Sequence, residues 1–67
     1  MNNFINKAYA EIDVETVDSS DLAVRFNDGD GDFWIPKSVM KEGSWPDLFD
    51  SGTVSVEVWF AEKEGLV

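Results

Sequence analysis

No stretch of this chain is more constraining than Phe33-Trp34-Ile35-Pro36. Aromatic and β-branched side chains suit a pleated, half-buried surface, so Phe33 to Ile35 reads as a short strand. Pro36 has no N–H to give to a ladder. It ends the strand and turns the chain out of the sheet. Trp34 is expected in the core with its neighbours, and Lys37 to Met40 reads as one helical turn or a short continuation.

Alternation supplies the other strands. From Ala8 to Val17, Ala8, Ala10, Ile12 and Val14 face one way while Tyr9, Glu11, Asp13 and Glu15 face the other, the period of a strand with one buried side. Asp18-Ser19-Ser20-Asp21 is a run of turn formers. Leu22, Val24 and Phe26 then alternate inward opposite Arg25, so the first two strands should pair as a hairpin. Asn27-Asp28-Gly29-Asp30-Gly31-Asp32 is a second hairpin turn, its Asp-Gly pairs suited to positive φ. Ser44-Trp45-Pro46-Asp47 has the composition of a helix start, which predicts a short turn whose Trp45, Leu48 and Phe49 cap the open end of the core. Thr53 to Val58 alternates again, with Val54, Val56 and Val58 inward. Trp59 to Glu64 is rich in helix formers, and Gly65 sits where a left-handed cap belongs, with Leu66 folding back on Ala61. The expected fold is mainly β: a small antiparallel, strongly bent sheet, or a partly open SH3-like barrel, of about four strands with one or two short helical turns.

A domain of 67 residues buries only about 60% of the surface its unfolded chain exposes, so its core must be dense in large side chains. Three Trp, five Phe and one Tyr meet that need. The chain reads as a single domain, 1–67, with residues 1–6 a loosely held arm. Cysteine and histidine are both absent, which removes disulfides, thiolate chemistry, Cys/His zinc sites and imidazole catalysis. No apolar run approaches the length of a membrane span, and the first residues lack the pattern of a signal peptide. The sequence reads as a soluble cytoplasmic protein.

Fourteen acidic residues against five basic ones give a formal charge of −9. Affinity for a nucleic-acid backbone comes from Lys and Arg displacing counterions, so direct nucleic-acid binding is disfavoured. Trp34 and Tyr9 stacking on bases would suit such binding, but so few scattered cations are a poor electrostatic design for it. An acidic surface steers instead towards basic proteins, and it also serves plain solubility.

Trp34-Ile35-Pro36-Lys37-Ser38 and Trp59-Phe60-Ala61-Glu62-Lys63-Glu64-Gly65-Leu66 together resemble a family of small bacteriophage and prophage proteins. In these, a strand ending in Trp-Ile-Pro-Lys-Ser precedes a Trp-(Leu/Phe)-Ala-Glu-Lys-x-Gly-Leu terminus. The resemblance covers Ala23 to Val67. It departs from the pattern between Met40 and Asp50, which carries its own Trp-Pro segment, and in lacking the family's proline before the terminal Glu-Trp. The resemblance implies phage origin, hence a host bacterial cytoplasm, and this fold; it supplies no catalytic residues.

Three constellations compete as sites. An EF-hand loop beginning at Asp28 needs Gly at its sixth position and Glu at its twelfth, where this chain has Phe33 and Val39. That match fails, leaving a plain hairpin turn or a weak site of three loop carboxylates. No metal or other cofactor is expected. Serines without a histidine base, and carboxylates without a pocket to shift them, argue against an enzyme. Glu11, Asp13 and Glu15 share one strand face at intervals of roughly 6.6 Å, twice the rise per residue, a spacing on the scale of successive phosphates. With Asp28, Asp30 and Asp32 they form an array of negative charge, expected to meet a basic host protein, such as a nucleic-acid-handling defence complex of the CRISPR type, by imitating nucleic acid. The competing view is that a solvated strand face simply needs polar residues. The second functional reading is a phage accessory module that self-associates through a sheet edge or the Trp45-Leu48-Phe49 patch.

Overall fold

The computed structural model describes residues 8–67, so the expected arm lies outside the described residues. Four antiparallel strands, β1 (Tyr9–Ser19), β2 (Ala23–Asn27), β3 (Asp32–Pro36) and β4 (Ser51–Glu57), form one sheet in the order β3-β2-β1-β4. A single turn of 3-10 helix, Lys37–Val39, follows β3, and a short helix α1, Val58–Lys63, follows β4. Of the two expected architectures the chain adopts the open sheet, because β3 and β4 lie at opposite edges instead of meeting.

One face of the sheet is buried. Ile12, Val14, Val24, Phe26, Ile35, Val54 and Val56 point into a core closed by Val39, Met40 and Ala61, with Phe33, Trp45, Phe60 and Leu66 packed around it. Burying a side chain of this kind contributes about 1.5–3 kcal/mol, and Phe26, Ile35, Val24, Val54 and Val56 are fully buried. Cross-strand partners repeat the alternation read from the sequence. Ile12 lies opposite Val54, Val24 opposite Ile35 and Phe26 opposite Phe33 on the core side.

The helix ends as Gly65 requires. Gly65 has φ of 73°, its N–H donates to the Glu62 carbonyl, and the Leu66 N–H donates to the Ala61 carbonyl at 2.8 Å. Both hydrogen bonds of a Schellman cap are therefore present, and Leu66 packs back over Ala61 against the core.

Several expectations are corrected. Trp34 is not in the core: it is 47% exposed, because strict alternation sends its neighbours Phe33 and Ile35 inward and leaves it on the opposite face, across from Arg25. Leu22 lies in the turn before β2 and is 80% exposed, and Ala8 precedes β1 and is exposed too. β1 runs two residues further than expected, past a bulge between Thr16 and Asp18 that shifts its register with β2. Val58 begins the helix instead of ending the strand.

The largest correction concerns Ser44 to Asp50. Ser44–Phe49 forms no helix, since neighbouring strands claim its backbone. Thr16, buried in β1, donates its hydroxyl to the Pro46 carbonyl at 2.8 Å. Thr16 also accepts from the Phe49 N–H at 2.7 Å and donates its own N–H to the Asp50 carbonyl at 3.1 Å. The Asp50 N–H closes on the Asp47 carbonyl at 2.9 Å. With Phe49 at φ of 68°, Asp47 to Asp50 is a turn of type II, opening a bulge at the head of β4. Trp45 caps the core as expected, but Leu48 and Phe49 project outward. Gly52 lets the segment cross β4 closely: a Cβ there would lie 3.3 Å from Cγ of Pro46.

Candidate functional site

The sheet face turned away from the core carries the residues singled out by charge. Along β1 it presents Glu11 and Asp13, both exposed, and Glu15, half-buried. Their β4 partners are Ser55, Thr53 and Ser51 in turn. On the other side Glu15 lies opposite Asn27 of β2, which in turn lies opposite Asp32 of β3. The acids thus run down the second strand in from the β4 edge, bordered on the β4 side by short hydroxyl side chains. No cation stands at any of their cross-strand register positions.

The β2–β3 turn brings the second acidic group to the same end. Asp28, Glu15 and Asp13 line one open groove of about 480 Å³, together with Asn27, Gly29, Ser51 and Gly52. Glu15 and Asp32 lie two strands apart, about 10 Å at the usual strand separation. The six carboxylates therefore lie in one acidic region, joined at Asp28, which borders both groups.

These carboxylates differ in what occupies them. Asp28 accepts the N–H groups of Asp30 and Gly31 at 2.9 and 3.3 Å, and Asn27 accepts that of Gly29, so Asp28 serves the turn. Asp32 receives Arg25 at 2.8 Å and the Asn27 amide at 2.7 Å. The Arg25–Asp32 contact is the one ion pair among the described residues. Asp30 is exposed at the tip. Glu11, Asp13 and Glu15 make no side-chain hydrogen bond or ion pair among the described residues. Among the described residues their charge serves no turn, cap or ion pair.

A second groove, about 300 Å³, runs from Asp28, Asp30 and Asp32 past Phe33 and Trp34 to Phe60, Glu64 and Leu66. A third, of about 660 Å³, lies by Lys37, Ser38, Met40 and Trp45. The Lys37 ammonium sits 6.0 Å from the Trp45 ring centre, a cation–π contact. Among the described residues no group of His, Cys, Asp or Glu is arranged to hold a metal ion, and no helix is long and apolar enough to cross a membrane. Phe49, expected to cap the core or to form a self-association patch with Trp45 and Leu48, is exposed and has a left-handed backbone that the sequence does not announce. No family model matches the chain, and neither the curated proteins nor the solved structures contain a significant match to it.

Proposed function

We propose that the protein is a non-enzymatic, acidic binding module that occupies the basic surface of another protein, in the manner of a phage-derived inhibitor of a host nucleic-acid-binding complex. One observation carries the reading. Glu11, Asp13 and Glu15 stand in a column on the sheet face turned away from the core, bordered by β4 hydroxyl side chains and making no salt bridge or side-chain hydrogen bond among the described residues. A strand spaces the Cβ atoms of such a column at roughly 6.6 Å, so only the side-chain rotamers, not the backbone, remain to be ordered on binding. Groups of one sign held on a surface also steer a partner of opposite sign and speed its encounter. The motif resemblance to phage proteins and the net charge of −9 point the same way.

The test is capture of bacterial lysate proteins on immobilised protein at low and high salt, followed by purification of the captured partner. The reading expects one basic protein, released as salt rises or by competing DNA. The triple variant Glu11→Gln, Asp13→Asn, Glu15→Gln should bind that partner at least tenfold more weakly, with a shallower salt dependence. Unchanged binding by the triple variant would sink the proposal.

A further inference from the structure

The Asp47–Asp50 turn sets a bulky side chain where the backbone wants none. Position three of a type II turn has positive φ and normally holds glycine or asparagine; here it holds Phe49, at φ of 68°, the only non-glycine residue with positive φ among the described residues. The ring gives little back to the fold, being 70% exposed, and Leu48 beside it is 52% exposed. A strained conformation persists where its surroundings over-determine it. Thr16 supplies those surroundings through its backbone bonds to Phe49 and Asp50 and its hydroxyl bond to Pro46. The tip is thus an apolar pair held out on a backbone pinned to the sheet.

We infer that Leu48 and Phe49 are an apolar anchor that enters a hydrophobic pocket, rimmed by Lys or Arg, on the same protein that the acidic face engages. The inference rests on the binding-module reading and extends it by an anchor. Aromatic anchors in pockets carry a large share of interface energy, and a preformed turn loses little freedom on docking. Charge names the occupant. Asp47 and Asp50 flank the pair and are exposed, and Asp50 leads into Ser51, the partner of Glu15 at the end of the acidic column. Neither aspartate is in an ion pair among the described residues. A pocket receiving this tip meets carboxylates on both sides, so basic side chains at its rim complement it. A two-fold contact with a second copy would set Asp47 and Asp50 against their own equivalents, on a chain of net charge −9. An anionic membrane surface would repel the same pair.

The experiment titrates the partner purified above with four proteins: wild type, Phe49→Gly, Phe49→Asn and the Glu11/Asp13/Glu15 triple variant. The inference expects both position-49 variants to bind at least tenfold more weakly with the salt dependence of the wild type kept, since the lost contact is apolar. If the position-49 variants bind within twofold of wild type while the triple variant fails, the anchor is wrong and the acidic face stands. If the triple variant binds normally, the acidic-face reading falls, and the anchor with it. Recovery of only the chain itself, or of no protein at low salt, overturns both.

Discussion

Glycine at position 49 should stabilise this protein relative to alanine, the reverse of the order found at most positions. Both replacements remove the same ring, so the comparison isolates the backbone. In a left-handed conformation a residue with a Cβ is disfavoured by about 1–2 kcal/mol. Glycine escapes that but costs about 0.4–1 kcal/mol through the greater freedom of the unfolded chain. The difference leaves Phe49→Gly more stable than Phe49→Ala by about 0.5–1 kcal/mol, against a usual deficit of about the same size. At 70% exposure the ring itself contributes about 0.5–0.9 kcal/mol, the buried share of a phenylalanine. Wild type and Phe49→Gly should therefore agree to within about 1 kcal/mol. Urea unfolding followed by tryptophan fluorescence measures all three, and thermal midpoints should separate the glycine and alanine variants by about 2–8 °C. A Phe49→Ala protein more stable than the Phe49→Gly protein would refute the left-handed assignment and remove the strain from which the anchor was argued.

Thr16→Val keeps shape but strips the donor from the Pro46 carbonyl, so a loss of about 1–2 kcal/mol in chemical denaturation is expected. Gly52→Ala would press a methyl on Pro46, which Thr16 holds in place, and should lower stability by about 1 kcal/mol; a rise in melting temperature would show that the segment yields. Phe26→Ala should cost about 3–5 kcal/mol, a large part of the roughly 3–10 kcal/mol available to a chain of this length, and circular dichroism should find it largely unfolded on mild heating. Neutralising Glu11, Asp13 and Glu15 should raise the melting temperature at low salt, with the gain shrinking as salt increases; a fall at every salt concentration would mean that these carboxylates support the fold.

Sequence pattern exposed most of the sheet because a strand with one buried face writes its own alternation. Ile12, Val14, Val24, Phe26, Val54 and Val56 all face inward as their period of two requires, and the Ala61–Gly65–Leu66 cap follows from local chemistry alone. Trp34 misled because size suggests burial, whereas parity decides it: a residue between Phe33 and Ile35 must face the other way. Ser44 to Phe49 misled for a different reason. Its helix-start composition is a local preference, overridden by the hydroxyl and backbone of Thr16, some thirty residues earlier in the chain. The acidic column and its grouping with Asp28, Asp30 and Asp32 could be read directly; what no local pattern states is the register of Glu15 with Asn27, which sets which acids adjoin. Nothing in Asp47-Leu48-Phe49-Asp50 announces a left-handed phenylalanine, since the expected residue there is glycine.

The strand order has a consequence for the chain as it is being made. β1 is an inner strand, but its β4 neighbour comes from far along the sequence, Tyr9 pairing with Glu57. Until Ser51 to Glu57 have been synthesised, β1 can pair only with β2 and presents a bare flank to every other nascent chain. Adding the seven residues of β4 takes roughly 0.4–1.4 s at ordinary translation rates, long enough for strands to find wrong partners. Charged side chains along an unpaired strand discourage such pairing. Glu11, Asp13 and Glu15 lie on the strand that waits, so the charge of the acidic column opposes wrong pairing while the sheet is unfinished.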